Sequence, residues 1–171
     1  MKILNWLDRI GRKRIILDRT NQEPYLTRYY LFLKDRKWFP FNFFIHNFHK
    51  GDPDDLHDHP WPYLTIILTG GYWEHTPKGR FWRKPGTIKV AGSRSLHRIE
   101  LDPNVDVWTL FFVGPRVREW GFIKKNKWIH NETYLDTKKG SLEEAIQQSM
   151  SGVVAKDLLE ACLLYTSDAA D

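Results

Sequence analysis

Cysteine is almost absent: the 171 residues hold a single one, Cys162. It opens the terminal stretch CLLYTSDAAD, residues 162–171, which back-translates without strain to TGTCTCTTATACACATCTGACGCTGCCGAC. That string resembles read-through into a transposon-based sequencing adapter, so 162–171 is read as a non-native adapter-derived tail. With the tail set aside, no thiol remains for a disulfide or a nucleophile. Long apolar runs are missing too. No stretch is long and apolar enough to span a bilayer, and the N-terminus MKILNWLDRIGRKR is too interrupted by charge for a signal peptide. The expected location is the cytoplasm. Internal repeats and linker-like composition are also lacking, so residues 1–161 are expected to form one domain.

Aromatic residues, by contrast, are plentiful at 15%, with eight Trp, as in a packed interior or an aromatic-lined cavity. Charge is uneven. Residues 1–50 hold 11 of the 26 Lys and Arg but only 4 of the 21 acids, whereas residues 51–161 hold 15 of each sign. The excess reads as a solvated basic face, with a nucleic-acid contact as the alternative.

Ile3, Leu7 and Ile10, beside Trp6, have helical spacing, so residues 2–12 are expected to form a short amphipathic helix docked on its own domain. RIILDR (14–19), YLTRYYLFL (25–33) and FNFFIHNFHK (41–50) read as strands. On the last of these His46 and His49 take opposite faces, each read as a packed or surface side chain. YWEHTP and KGRFWRKPG form a hairpin pattern turning near Pro77 and Gly79. GTIKVAGSRSLHRIEL (86–101) gives two strands about a turn at Gly92. VDVWTLFFVG (105–114) gives another, with Val105, Val107, Thr109, Phe111 and Val113 on one face. Residues 115–136 look irregular and are expected to wrap the strands. SLEEAIQQSMSGVVAKDLLEA (141–161) reads as a C-terminal helix capped by Ser141 and broken near Gly152. Short strands at this spacing imply an all-β sandwich or barrel.

The stretch richest in chemistry is GDPDDLHDHPWPYLTIILTGG (51–71). In extended chain His57 and His59 share a face while Asp58 takes the other, and two imidazoles on one face can hold a metal ion. A turn whose imidazoles hydrogen-bond backbone is the other reading of HDHPW.

Gly51, five residues, His57, one residue, His59 and then Gly70 or Gly71 resembles the first motif of the cupin superfamily. Where that motif has Glu, this chain has Tyr63 or Leu64. The second motif's spacing is kept by Gly86, Gly92, Arg94, His97 and Leu101, with Gly92, Arg94 and Leu101 replacing its Pro, Gly and Asn. The likeness covers about residues 41–114. The strings HDHPW, GGYWE, LHRIEL, TLFFVGP and REWGF are further similar to uncharacterised cupin-like proteins of phages and bacteria, which would make the location a host cytoplasm if phage-encoded. The resemblance implies a double-stranded β-helix, or jelly-roll barrel, with a short N-terminal and a C-terminal helix.

It also implies a three-histidine metal site of His57, His59 and His97. Neutral imidazoles suit Fe(II), the favoured ion, with Zn, Ni, Cu or Mn as alternatives, and three ligands leave positions open. Thiol dioxygenases among the cupins are similar, with three His on Fe(II). Tyr63 shares parity with His57 and His59, so its hydroxyl is the candidate catalytic group. Glu74, from a neighbouring strand, is the candidate fourth ligand. Arg98, adjacent to His97, is expected to face away. The implied function is a metal-dependent oxygenase acting on a small molecule, with Trp61, Tyr63 and Trp73 excluding water. A cupin-type sugar isomerase or epimerase and a non-catalytic ligand-binding or structural cupin are the alternatives. A homodimer is the family-based expectation for assembly.

Overall fold

A computed structural model describes residues 2–18, 23–34, 39–52, 55–138, 140–141, 143–144, 146–147 and 149. The helix α1 (Lys2–Arg9) is followed by β1 (Lys13–Leu17), β2 (Pro24–Tyr30), β3 (Asn42–Phe48), β4 (Tyr63–Thr69), β5 (Tyr72–Thr76) and β6 (Gly79–Arg83). Then come β7 (Ile88–Ala91), β8 (Arg98–Glu100), β9 (Val107–Val113), β10 (Gly121–Lys124) and β11 (Lys127–His130). Every pairing among these strands is antiparallel. The largest sheet runs β1-β2-β3-β9-β4-β7, a second runs β6-β5-β8, and β10 pairs with β11.

From β4 onward the chain switches sheets repeatedly: β4 lies in the large sheet, β5 and β6 in the small one, β7 in the large, β8 in the small and β9 in the large. This alternation lets consecutive segments face one another across a core. The core is built from inward positions with a period of two. Leu26, Phe48, Ile67, Tyr72, Ile99 and Val107 form one buried cluster with members from both sheets, and Tyr30, Phe44, Tyr63, Ala91 and Val113 form another. On β9, Val107, Thr109 and Val113 are buried as the alternation predicts. The turn from β4 to β5 requires glycine at Gly70, whose φ is 74° and whose missing Cβ would sit 2.6 Å from the Asp106 carbonyl oxygen.

The all-β expectation therefore holds, with three corrections. Residues 121–130, expected to be irregular, form the β10-β11 hairpin, closed by Lys125 and Asn126 at φ 49° and 62°. This is the two-residue turn that needs two left-handed residues, a role Asn fills more readily than Lys. At the N-terminus α1 ends at Arg9, short of the expected residue 12, and buries Leu7 while Ile3 and Trp6 stay exposed.

The third correction lies in the second unit, which begins at Glu132. The chain is helical at every described position from 131 to 149, so the helix starts ten residues before the expected cap. Ser141 sits inside it and returns its Oγ–H to the Thr137 carbonyl at 2.9 Å, as an interior hydroxyl does. Gly152, Val153, Leu158 and Leu159, like the tail 162–171, lie outside the described residues.

Candidate metal centre

His57 and His59 lie in the connection from Gly51 to β4, and His97 immediately precedes β8. Close approach of the first segment to the second depends on Gly51, where a Cβ would come within 2.9 Å of the Ile99 carbonyl oxygen. The Asp52 N–H donates to that same oxygen at 2.8 Å. His57 and His97 then form a reciprocal backbone pair, each N–H donating to the other's carbonyl at 2.9 Å. This is a single bridge rather than a ladder, so His57 and His59 share a face as in extended chain without lying on a strand.

The alternation of His57, Asp58 and His59 survives because Asp58 is held on the opposite side. Its buried carboxylate accepts from the Gly121 N–H at 2.8 Å, from Trp128 Nε1–H at 3.0 Å and from the Arg118 guanidinium. The β10-β11 hairpin thus fixes the residue between the two imidazoles. His57 also bridges Phe122 of that hairpin.

The three imidazoles offer one nitrogen each, all within 4.8 Å of one another. His59 Nε2 and His97 Nε2 are 2.8 Å apart, and the ring centroids of the three are separated by 4.9, 5.0 and 5.2 Å. Burial, reinforced by the neighbouring imidazoles, pushes His59 well below its ordinary pKa of 6.5. Burial also lowers His97, outweighing a hydrogen bond to Glu74 that raises it. Both rings are therefore neutral, the form that ligates a metal. His97 Nδ1–H donates to Glu74 Oε1 at 3.1 Å, which leaves Nε2 as a bare lone pair aimed at His59. A transition-metal ion fits this donor set, with Glu74 as the carboxylate that orients one ligand.

That position corrects the expectation for Glu74 as a fourth ligand. Its side chain has no exposed surface and its oxygens are already engaged: Oε1 by His97 and Lys89, Oε2 by Arg83 at 2.8 Å. Burial pushes its carboxyl up, but the hydrogen bonds from His97 and Lys89 and the Lys89 charge outweigh burial and bring it down to about 2. The carboxylate lies behind His97, on the far side of the ring from Nε2.

Tyr63, at the motif position where Glu is expected, reaches the site instead. Its hydroxyl lies 3.5 Å from His97 Nε2 and accepts from Lys89 Nζ–H at 3.2 Å. Burial, with Glu74 adding to it, raises its pKa well above 10, so the hydroxyl keeps its proton. Lys89 joins Glu74 and Tyr63, one on each side of the His97 ring's environment.

The three histidines open onto a cavity of about 320 Å³, walled by Phe48, Trp61, Phe111, Trp120 and Phe122 among others. Trp61 is a wall as anticipated; Trp73 is not, since it packs on Trp82 at 5.3 Å beneath the Arg80 guanidinium. Arg98 faces away and lies 3.8 Å from Glu100. Arg28 of β2 is a polar wall residue that the sequence does not single out, and beside it stands His46 of β3, buried as a packed strand histidine. They are cross-strand partners, and Arg28 Nε–H donates to His46 Nε2 at 3.0 Å. The signal was an interior parity, Leu26-Arg28-Tyr30 beside Phe44-His46-Phe48, visible only once β2 and β3 are in register.

No family model matches the chain, and no curated protein matches it. Among solved structures, a cupin-2 domain protein from Rhodospirillum rubrum superposes with a TM-score of 0.52 at 14% identity, over 66% of this chain and 76% of that one. A protein described as a predicted oxalate decarboxylase from Thermotoga maritima superposes with a TM-score of 0.50 at 20% identity, over 61% of this chain and 92% of its own. At these identities the likeness concerns architecture, and it agrees with the sheet-switching strands. The chain has the cupin fold.

Proposed function

We propose that this protein binds one divalent transition-metal ion, Fe(II) by preference, through His57, His59 and His97, and acts as a non-haem oxygenase on a small molecule. The observation that carries the reading is the convergence of three imidazole nitrogens with, among the described residues, no carboxylate in the cluster, one ring being tied back to the buried Glu74. A neutral ligand set leaves the ion its full charge and open positions, and bound Fe(II) supplies one-electron chemistry with dioxygen there.

The chain's own residues do the rest. Glu74, held by Lys89 and Arg83, keeps the His97 lone pair directed into the cavity. Tyr63, protonated and fixed by Lys89, presents a hydroxyl beside the ligand nitrogens, where it can hydrogen-bond a bound substrate atom. Aromatic walls exclude bulk water. An isomerase or epimerase would need a proton acceptor over the substrate, and Glu74, ionised and saturated with donors, is a poor one.

The test is oxygen consumption by Fe(II)-reconstituted protein against a panel of thiols and small acids. Substrate-dependent uptake that vanishes in His97→Ala supports the oxygenase. Metal binding without any uptake assigns the protein to the non-catalytic cupins, and substrate turnover without oxygen to the isomerases.

A further inference from the structure

Arg28 occupies an inward position of a β-strand. Its neighbours of the same parity, Leu26 and Tyr30, are buried members of the two core clusters, while Arg28 lines the cavity onto which the three histidines open. A guanidinium there needs compensation, because an ion moved out of water into an apolar wall loses several kcal/mol of hydration unless it is paired. Among the described residues no carboxylate pairs with it. Its Nε–H donates to His46, its plane lies over the Phe44 ring at 4.6 Å, and Tyr30 stands beside it.

His46 does not neutralise the charge. It is 3% exposed, stacked on Phe44 and Phe111, and accepts the Arg28 proton at Nε2, which makes it a neutral ring. The two carboxylates that also line the cavity have other partners: Asp18 faces Lys50 at 2.8 Å, and Asp52 accepts from the Tyr25 hydroxyl and from the Ile99 N–H at 2.6 Å. The pair Arg28–His46 therefore carries one net positive charge into the cavity.

We propose that Arg28, braced by His46, is the anion-binding end of the cavity and selects small organic monocarboxylates whose other end reaches the three histidines. The proposal rests on reading this cavity as the substrate site. A guanidinium presents paired N–H donors that match a carboxylate's two oxygens. The Asp18 and Asp52 carboxylates that line the same cavity oppose a second negative charge, which disfavours a phosphate dianion. A cavity of about 320 Å³ with aromatic walls holds a molecule of roughly ten heavy atoms.

The test uses calorimetric titration of the full chain, stripped of metal by a chelator, with benzoate, with its neutral isostere benzamide and with inorganic phosphate. Wild type is expected to bind benzoate at least about tenfold more tightly than benzamide or phosphate. Arg28→Gln should bind benzoate and benzamide equally, and Arg28→Lys should keep part of the preference. Circular dichroism establishes that each variant is folded, and the wild-type comparison of the two isosteres stands even if a variant is not. Equal binding of benzoate and benzamide by wild type, no benzoate binding at all, or a preference that persists in Arg28→Gln would overturn the assignment. Because no metal is present, loss of the benzoate preference is distinct from failure of the three-histidine site, which metal content reads separately.

Discussion

His57 and His97 each donate a backbone N–H to the other's carbonyl at 2.9 Å, so two segments forty residues apart present their imidazoles from directly opposed positions. The three-histidine cluster is thus held together by main-chain pairing. Side chains then refine it: Asp58 anchors the alternation on one strand of the bridge, and Glu74 sets the ring on the other.

Asp58→Ala removes the acceptor shared by the Gly121 N–H, Trp128 Nε1–H and Arg118. A buried donor left unsatisfied costs about 1–3 kcal/mol, and Arg118 is left without its carboxylate. Chemical denaturation should show a loss of at least that size, together with reduced metal retention, since the alternation of His57 and His59 loses its anchor.

Glu74→Gln keeps the volume but removes the charge that Lys89 and Arg83 share. Breaking a buried pair from one side costs about 3–5 kcal/mol, and losing the partner that orients a ligand typically weakens metal binding by about 10–100-fold. Equilibrium dialysis of metal against the variant checks the second effect. Lowered stability with unchanged affinity would reduce Glu74 to a structural counter-ion.

Tyr63→Phe separates the hydroxyl from the ring. The ring still packs on Phe111 at a centroid distance of 5.2 Å, so the fold and the metal content should persist. Substrate-dependent oxygen uptake should fall by about 100-fold to 1,000-fold, the range for losing one positioned donor.

His46 gives a pH signature. Burial, with the Arg28 charge adding to it, holds its folded pKa well below the 6.5 of the unfolded chain. The folded state therefore binds one proton fewer, and the resulting stability is full above pH 6.5 and is lost as pH falls below it. The contribution of one such group changes by about 1.4 kcal/mol per pH unit. Unfolding of wild type and His46→Gln, compared between pH 7 and pH 5, should show a shallower slope for the variant by about one proton. Parallel slopes would mean that His46 is protonated in the folded protein.

Much of this was readable from the residues. The inward face of β9 follows from simple alternation, and the spacing of Gly51, His57, His59 and His97 follows from the geometry of one bridge. What stayed hidden depends on register between distant strands. Arg28 reads as a surface charge until Phe44, His46 and Phe48 are set beside it, and Glu74 reads as a ligand until β5 is paired with β8, which puts it behind His97. The start of the C-terminal helix was missed for a local reason: the Ser141-Leu-Glu-Glu pattern imitates a cap, whereas the helix had already begun at 131.

The central claim is the three-histidine site, and metal content tests it most directly. Purified protein should carry about one transition-metal ion per chain, whereas His57→Ala and His97→Ala, each folded by circular dichroism, should carry almost none. Equal metal content in wild type and both variants, or no metal bound by wild type after reconstitution, would contradict it.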